Sequence, residues 1–249
     1  MLQQTQVSRV LPRYTAFLTA FPTAATCAAS PLADVVRAWE GLGYNRRAVN
    51  LHRAAVRITA DGFPSTLAGL MTLPGVGPYT ARAVLAYAYE ADVAVVDTNV
   101  ARIVARVQGR RLSSKEAQAA ADALAPPGES WAWNQAMMDL GAQRCRPRQP
   151  RCDDCPLAPW CAWHGAGVPP PDPAFGSAHV SGGQSPFDGS DRQGRGRLVA
   201  ALRRGPVPTA DLARVMGWPN DADRATRVAS TLLADGLAIQ TSDATLELA

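Results

Sequence analysis

Four of the five cysteines in the 249-residue chain fall within one seventeen-residue stretch. Cys145, Cys152, Cys155 and Cys161 follow the spacing C-x6-C-x2-C-x5-C. So dense a set of thiols indicates a metal or cluster site, because disulfides are rare in chains that are not exported. Zinc sites usually combine two C-x2-C pairs, whereas a compact run of four cysteines is typical of a [4Fe–4S] cluster. Cys27 stands apart and is predicted to be a plain thiol.

Arginines surround these cysteines, namely Arg144, Arg146, Arg148 and Arg151. Loops held in place by a cluster would present such side chains to phosphate groups. We therefore predict a structural role for the cluster rather than electron transfer, since no nicotinamide or flavin fingerprint is visible in the sequence.

A second motif, LMTLPGVGPYTARAVLAYAY, places PGVG between two amphipathic helical patterns. One helix is predicted to end near Leu73 and the next to begin at Pro78, which suits the first helical position. Gly75 and Gly77 can take positive φ angles, and their amides would point outwards at the positive end of a helix. Such an arrangement binds phosphate, so we predict a helix-hairpin-helix DNA-binding element at about 65–89. An ordinary tight helical turn is the alternative.

Asp97 follows the apolar run VAVV and precedes a helical pattern. Taken alone it would be a helix N-cap, because aspartate accepts hydrogen bonds from the first free amides of a helix. Its position about twenty residues after the hairpin also makes it a candidate catalytic carboxylate.

The hairpin LPGVGPYT, the aspartate in VVDTNVARI and the cysteine run occur in an order and spacing that resemble the helix-hairpin-helix base-excision DNA glycosylases. The stretches MLQQTQV, GLGYNRRAVNL and NQAMMDLGA make residues 1 to about 164 similar to the adenine DNA glycosylases. The resemblance implies a monomeric bacterial enzyme of the cytoplasm and nucleoid, with a [4Fe–4S] cluster. Its partner would be double-stranded DNA carrying adenine opposite 8-oxoguanine or guanine.

The resemblance also assigns roles to individual residues. The enzyme would flip adenine out of the duplex and hydrolyse its bond to the sugar. Asp97 would stabilise the oxocarbenium-like sugar as the base departs, with Asn99 orienting it and Tyr79 close by. The expected DNA-contacting residues are Gln3, Gln4, Tyr44, Leu73, Gly75, Gly77 and Gln135.

Tyr79 occupies the hairpin position at which the endonuclease III relatives carry a sugar-attacking lysine. The single lysine of the chain is Lys115, so we expect a monofunctional glycosylase without lyase activity. The general acid of the family, a glutamate, would fall two residues before Met1, and we therefore expect impaired turnover. The alternatives are a non-catalytic lesion-binding protein, an endonuclease III-like glycosylase and lyase, and an iron–sulfur transcriptional regulator.

The elements that must position these residues are mainly α-helical. Apolar residues recur with helical spacing, and Pro, Gly and Asn-rich turns separate the segments. The predicted parts are a helical barrel with the hairpin at 1–93, a catalytic-aspartate and cluster lobe at 94–164, a flexible Pro, Gly and Ser-rich linker at 165–189, and a winged-helix-like module at 190–249.

Three helices and a strand pair are predicted for the small C-terminal module. Ser190 and Gln193 have capping-box spacing, Thr209 and Asp223 are predicted helix starts, and Gly236 is a predicted stop. The segment LAIQTSDATLELA is predicted to form two short strands. The module either contacts DNA or serves as a packing or dimerisation domain.

Composition sets the remaining limits. A hydrophobic fraction of 47% is ample for a core, yet no apolar run reaches the ~18–20 residues of a membrane helix. The N-terminus lacks the pattern of a signal peptide, which favours the cytoplasm. A net charge of +4 suits a polyanionic partner or merely a solvated basic surface. An amphipathic helix is predicted from the first residues on, with an apolar face of Leu2, Val7, Val10, Leu11 and Tyr14.

Overall fold

A computed structural model describes residues 1–180 and 186–249, and it confirms the predicted mainly α-helical class. The helices are α1 Val7–Ala20, α2 Ala24–Ala29, α3 Leu32–Ala38, α4 Arg46–Asp61, α5 Leu67–Met71, α6 Pro78–Ala88, α7 Thr98–Gln108, α8 Ser114–Leu124, α9 Ser130–Gln143, α10 Ala162–Gly165, α11 Asp191–Leu202, α12 Leu212–Met216 and α13 Ala222–Asp235. Short strands are β1 Val207–Pro208, β2 Ala238–Gln240 and β3 Thr245–Leu248. Among the described residues, every helix is too short or too polar to span a bilayer.

The described chain divides into two compact units. The first comprises Met1–Pro64, Leu73–Gly75 and the residues from 186 onwards, and the second comprises Ser65–Thr72 and residues 76–180. The predicted domain boundaries differ from this division, because residues 190–249 are grouped with the N-terminal helices rather than standing apart.

One hydrophobic core unites the first unit. It joins residues of α3 and α4, such as Val35 and Val49, to residues of α11 and α13, such as Leu198 and Leu232. Polar contacts follow the same surface, since Arg203 donates to the Val36 carbonyl at 3.2 Å and to Asn45 Oδ1 at 3.0 Å. The C-terminal module is therefore part of the interior of this unit.

The module has the three helices and the strand pair expected of a winged-helix-like domain, with β1 added to a three-stranded antiparallel sheet of order β1-β3-β2. Ser190 caps α11 by accepting from the Gln193 amide, as predicted. The predicted start at Asp223 is wrong, because Asp221 caps α13 by accepting from the Arg224 amide. Gly236 ends α13 in the left-handed conformation, as expected.

Helix α7 forms the centre of the second unit. Asp97 caps its beginning, the seven residues 100–106 are buried, and a left-handed Gly109 ends it. Helices α8, α9 and α10 all pack against it, and α6 packs against α5 and α9. Asp97, which directly precedes α7, is thereby attached to a helix whose residues 100–106 are buried.

Residues 165–180 differ from the flexible linker that their composition predicts. Asp172 forms an ion pair with the buried Arg106 at 2.6 Å. Ser177 is 5% exposed, and its hydroxyl accepts from the Leu112 amide at 3.2 Å. Specific hydrogen bonds, which composition does not reveal, attach this segment to the second unit. The rest of the predicted linker up to 189 includes residues 181–185, which lie outside the described residues.

The predicted N-terminal helix begins later and faces differently than expected. Residues 1–6 are not helical, and α1 starts at Val7. Of the predicted apolar face only Val10 is buried, while Leu11 is 62% exposed. The helix buries instead the line through Val10 and Phe17, which are separated by two helical turns.

Candidate active site and nucleic-acid interface

The carboxylate of Asp97 is fixed at the start of α7. Its Oδ1 accepts from the backbone amides of Asn99 and Val100, each at 2.8 Å. Its Oδ2 accepts from the Asn99 side-chain amide at 3.1 Å. Asp97 is only partly buried, so this well-defined carboxylate still reaches the surface. The structure brings Asp97 and Asn99 together, as predicted.

Asn99 is itself held by Arg102, which is not among the predicted site residues. The Arg102 Nη2 donates to Asn99 Oδ1 at 2.8 Å and to the Gly141 carbonyl at 2.7 Å, and its Nε donates to the Cys145 carbonyl at 2.6 Å. One buried guanidinium thus joins the start of α7, the end of α9 and the first residue of the cysteine run. The spacing of Arg102, one turn beyond Asn99, is the signal that could have found it.

Gly141 lies where no side chain fits. A Cβ built there would lie 2.5 Å from the Asn99 Cβ. The close approach of α9 to Asn99 explains the glycine in the stretch NQAMMDLGA. Asn134, in the same stretch, is buried and holds the chain before Asp97, because its Oδ1 accepts from the Val95 amide at 2.8 Å.

Two tyrosines of α6 share the surroundings of Asp97. Burial, together with the negative charge of Asp97, raises the pKa of Tyr79. Burial and the charges of Tyr79 and Asp97 raise the pKa of Tyr87 to about 12. Both shifts act in the same direction and favour the neutral phenol. Tyr87 also packs edge-on against Trp131, with ring centroids 6.4 Å apart.

The remaining predicted contact of this unit, Gln135, lies on α9 directly after Asn134 and is half-buried. Lys115 is exposed in the first turn of α8. In the second unit, the phenols of Tyr79 and Tyr87 thus share the surroundings of the Asp97 carboxylate. The side-chain amine of Lys115 lies on α8.

The hairpin between α5 and α6 follows the prediction in part. Gly75 has a φ of +76°, and a Cβ there would lie 2.5 Å from the Asn50 Nδ2, so both conformation and space require glycine. Gly77 does not take the expected positive φ, because it is the N-cap of α6 and N-caps are extended. No atom lies within 4 Å of a Cβ built on Gly77, which leaves that side of the residue open. Leu73 is 6% exposed, so its side chain belongs to the core.

The predicted lesion-reading residues of the first unit are all exposed, namely Gln3, Gln4 and Tyr44. Gln4 has a φ of +55° and Tyr44 a φ of +46°. This left-handed conformation is uncommon for residues other than glycine. Both residues lie in loops rather than in helices.

The four clustered cysteines line one pocket of about 390 Å³, including its open mouth. Burial raises the pKa of the Cys152 thiol, and the neighbouring Cys145 and Cys161 raise it further. Within the described part of the chain, no group of three or more His, Cys, Asp or Glu side chains is arranged to hold a single metal ion.

Arg106, which is not among the predicted site residues, lines one wall of this pocket. Its Nη1 donates to the Cys145 Sγ at 3.3 Å, and its guanidinium lies 4.8 Å from the centroid of Trp163. Burial alone would lower the pKa of Arg106, but the hydrogen bonds to Asp172 and Cys145 outweigh burial and raise it. A permanent positive charge therefore stands beside the thiols.

Comparisons with known proteins identify the family of this chain. Residues 1–127 match the model of the HhH-GPD superfamily base excision DNA repair proteins. The adenine DNA glycosylase of Mycolicibacterium smegmatis is 42% identical over 256 residues, which cover 100% of this chain and 85% of that protein. The human adenine DNA glycosylase is 37% identical over 171 residues, which cover 65% of this chain and 31% of that protein.

Solved structures show the same fold. A thermostable thymine-DNA glycosylase matches with a TM-score of 0.61 and 27% identity, over 66% of this chain and 80% of that chain. Endonuclease III in a non-covalent complex with DNA matches with a TM-score of 0.59 and 24% identity, over 67% and 81%. This chain belongs to the HhH-GPD superfamily of base excision DNA repair proteins, and within it to the adenine DNA glycosylases.

Proposed function

We propose that this protein is a monofunctional DNA glycosylase that flips out and hydrolyses adenine opposite 8-oxoguanine or guanine. It would act as a monomer on nucleoid DNA in the bacterial cytoplasm. The observation that carries the proposal is the fixed carboxylate of Asp97, with Tyr79 nearby at the hairpin position where a lyase needs its lysine. Relatives named adenine DNA glycosylase support adenine as the base.

Asp97 would act on the sugar as the base departs. A carboxylate offers about four lone-pair sites, and three neighbouring donors occupy three of them here. The remaining lone pair on Oδ2 is available to face the positive charge that develops on the sugar. Asn99 sets the direction of that oxygen, and Arg102 in turn fixes Asn99.

The tyrosines would complete a site that is suited to hydrolysis rather than to lyase chemistry. Tyr79 and Tyr87, whose pKa values are raised further above the ordinary phenol value, would offer neutral hydroxyl donors to the site. Lyase chemistry requires an amine that forms a Schiff base with the sugar. Lys115 is exposed on α8, whereas Tyr79 and Tyr87 lie on α6.

DNA would be held through the hairpin and read by the exposed loop residues. The open N-terminal end of α6 at Gly77 and the tight turn at Gly75 suit close contact with a phosphate backbone. Gln3 and Gln4 carry amides that can read base edges, and the Tyr44 ring can replace a lost stacking partner. Gln135 would contact the flipped adenine.

The four-cysteine pocket fits a [4Fe–4S] cluster with Cys145, Cys152, Cys155 and Cys161 as ligands. Support comes from the donor set, four thiols around one pocket, and from the cationic Arg106 that would offset the negative charge of ligated thiolates. When bound, the cluster would serve as a rigid support for the surrounding loop. Anaerobically purified protein should be brown and contain iron and sulfide; a colourless, zinc-loaded preparation would contradict the assignment.

The proposed activity is tested on a duplex with one adenine opposite 8-oxoguanine. We expect release of free adenine and strand cleavage only after hot alkali. Asp97→Asn should abolish excision and leave duplex binding nearly intact, because asparagine keeps the acceptor for the two backbone amides. Asp221→Asn, the same exchange at the cap of α13, is the matched control and should retain full activity.

Other results would point to the alternatives. Strand cleavage without alkali would contradict the monofunctional assignment and favour a glycosylase with lyase activity. Tight binding to the mismatch without any adenine release would favour a non-catalytic lesion-binding protein. Undiminished excision by Asp97→Asn would show that Asp97 serves only as a helix cap, because asparagine keeps the capping acceptor.

A further inference from the structure

Two exposed loop residues of the first unit, Gln4 and Tyr44, have strained backbones. Their φ angles are +55° and +46°, a region in which a Cβ meets the neighbouring carbonyl oxygen. Strain of this kind persists only where surrounding contacts impose it, and it is concentrated at functional sites. A specific set of contacts must therefore hold these two residues.

Those contacts come from the guanidinium of Arg47, in the first turn of α4. Its Nη1 donates to the Met1 carbonyl at 2.9 Å and to the Gln3 carbonyl at 2.5 Å. Its Nη2 donates to the Leu42 carbonyl at 2.9 Å and to the Gly43 carbonyl at 3.1 Å. One side chain thus bridges two segments that are about forty residues apart in the sequence.

The bonded carbonyls occupy the positions that govern the strain. Gln3 directly precedes Gln4, and Gly43 directly precedes Tyr44. The φ angle of a residue is the rotation of the preceding peptide plane about the N–Cα bond, and planar peptides rotate as one piece. A hydrogen bond to the carbonyl of that plane therefore holds the φ angle of the next residue.

A hydroxyl and two aromatic rings reinforce the bridge. The Thr5 Oγ1 accepts from Arg47 Nη2 at 2.8 Å and donates to the Leu42 carbonyl at 2.9 Å, which links the same two segments. The Arg47 guanidinium carbon lies 5.3 Å from the ring centroid of Trp39 and 5.6 Å from that of Tyr44. This geometry requires a planar fork with several donors, which lysine lacks.

We propose that Arg47 is a positioning residue that locks the segments carrying Gln3, Gln4 and Tyr44 into a single preformed edge for reading the mismatch. The proposal rests on the proposed function, in which those three side chains meet the duplex. Arg47 itself would not contact the DNA bases, since its Nη donors are used by backbone carbonyls and Thr5 and its Nε is buried. Preformed loops lose less conformational freedom on binding, so Arg47 would increase affinity where the loops make contact.

The first test measures the loops without DNA. Hydrogen exchange of the full-length protein is compared between the native chain and Arg47→Lys. We expect faster exchange in peptides covering residues 1–6 and 40–46 and unchanged exchange in α7 and α9. Arg57→Lys is the matched control, because Arg57 lies on the same helix in an exposed pair with Asp61 and should leave all peptides unchanged. Unchanged exchange of both loops in Arg47→Lys would overturn the proposal.

The second test measures mismatch recognition. Affinities are compared for a duplex with adenine opposite 8-oxoguanine and for the same duplex fully paired. We expect Arg47→Lys to weaken mismatch binding about tenfold and paired-duplex binding less than about twofold, since only the mismatch is read by the preformed edge. Thr5→Val removes one link and should act in the same direction by a smaller factor.

A double substitution separates positioning from a general loss of stability. In a Tyr44→Ala, Gln4→Ala background the effect of Arg47→Lys on mismatch affinity should largely disappear, because interacting residues are not additive. A full effect in that background would overturn the proposal. If Arg47→Lys loosens the loops but the native chain itself shows no preference for the mismatch, the proposed function fails, while the structural role of Arg47 stands.

Discussion

At the scale of single residues, the proposed catalytic carboxylate of Asp97 is also a structural group. It is a helix N-cap, since its Oδ1 accepts from two backbone amides. The same bonds immobilise the carboxylate, and a catalytic group benefits from being held in position before the substrate arrives. The cap is thus the means by which α7 orients the carboxylate, and Asn99 and Arg102 complete the support.

Gly141→Ala tests this support. Alanine normally stabilises a helix relative to glycine, but here its Cβ would lie 2.5 Å from the Asn99 Cβ, which no side-chain rotation can move away. We expect a loss of about 1–3 kcal/mol in unfolding free energy and a fall in excision rate as Asn99 is displaced. Denaturant unfolding and single-turnover excision measure the two effects.

Gly196→Ala is the matched control for that exchange. Gly196 is also within a helix, and no atom lies within 4 Å of a Cβ built there. The exchange should stabilise the protein by about 0.5–1 kcal/mol and leave excision unchanged. Similar behaviour of the two variants would show that the contact between α9 and Asn99 is loose.

At the scale of elements, the helix ends set where the functional residues lie. Helix α8 begins with a capping box in which Ser113 and Glu116 bond reciprocally, and Arg110 donates to the same glutamate at 2.6 Å. The hydrogen bonds to the Ser113 amide and hydroxyl, followed by that to Arg110, lower the pKa of Glu116 to about 2. A local motif, visible in the sequence, thus fixes the start of a helix that packs on α7.

A pH-dependent stability follows from this box. The pKa of Glu116 is lower in the folded protein than the ordinary value of 4.5, so its stabilising effect is complete above about pH 4.5 and is lost as the pH falls towards 2. In Glu116→Gln we expect thermal melts that depend less on pH between 4.5 and 2. Glu129→Gln, a glutamate outside such a box, serves as the comparison; equal slopes in both variants would contradict the expectation.

At the scale of the whole chain, the C-terminal module completes the core of the N-terminal helices. Leu198 and Leu232 are fully buried in the same core as Val35 and Val49. The similarity to the Mycolicibacterium smegmatis relative extends over the module, whereas that to the human relative covers 65% of this chain. The arginines Arg224 and Arg227 of α13 are paired with Asp191, which reduces the positive charge available for DNA.

Leu232→Ala tests the shared core. Removal of a fully buried leucine side chain should cost about 2–5 kcal/mol of unfolding free energy. Because the core is continuous, hydrogen exchange should rise in α3 and α4 as well as in α13. The control is Ile239→Ala, at a position that is 50% exposed, which should change stability by less than about 0.5 kcal/mol. Faster exchange confined to the module would show two separate cores.

Much of the fold and of the site could be predicted because its signals are local. Helical periodicity, the PGVG turn, the Asp97 cap and the Gly236 stop depend on residues that are neighbours in the chain, and so does the cysteine spacing. The presence of tyrosine rather than lysine at position 79 is likewise read directly from the sequence. These features follow from backbone sterics and hydrogen-bonding capacity, which each short segment carries with it.

The tertiary structure alone decided the contacts between distant segments. Arg47 bonds the carbonyls of Met1 and Gln3, and Arg102 bonds those of Gly141 and Cys145. Asp172 pairs with Arg106, and each of these contacts spans about 40 residues or more of sequence. It also decided which face of α1 is buried and that residues from 186 onwards share the core of α3 and α4. Such contacts depend on how the elements pack, and no local pattern specifies which distant side chain will fill a given space.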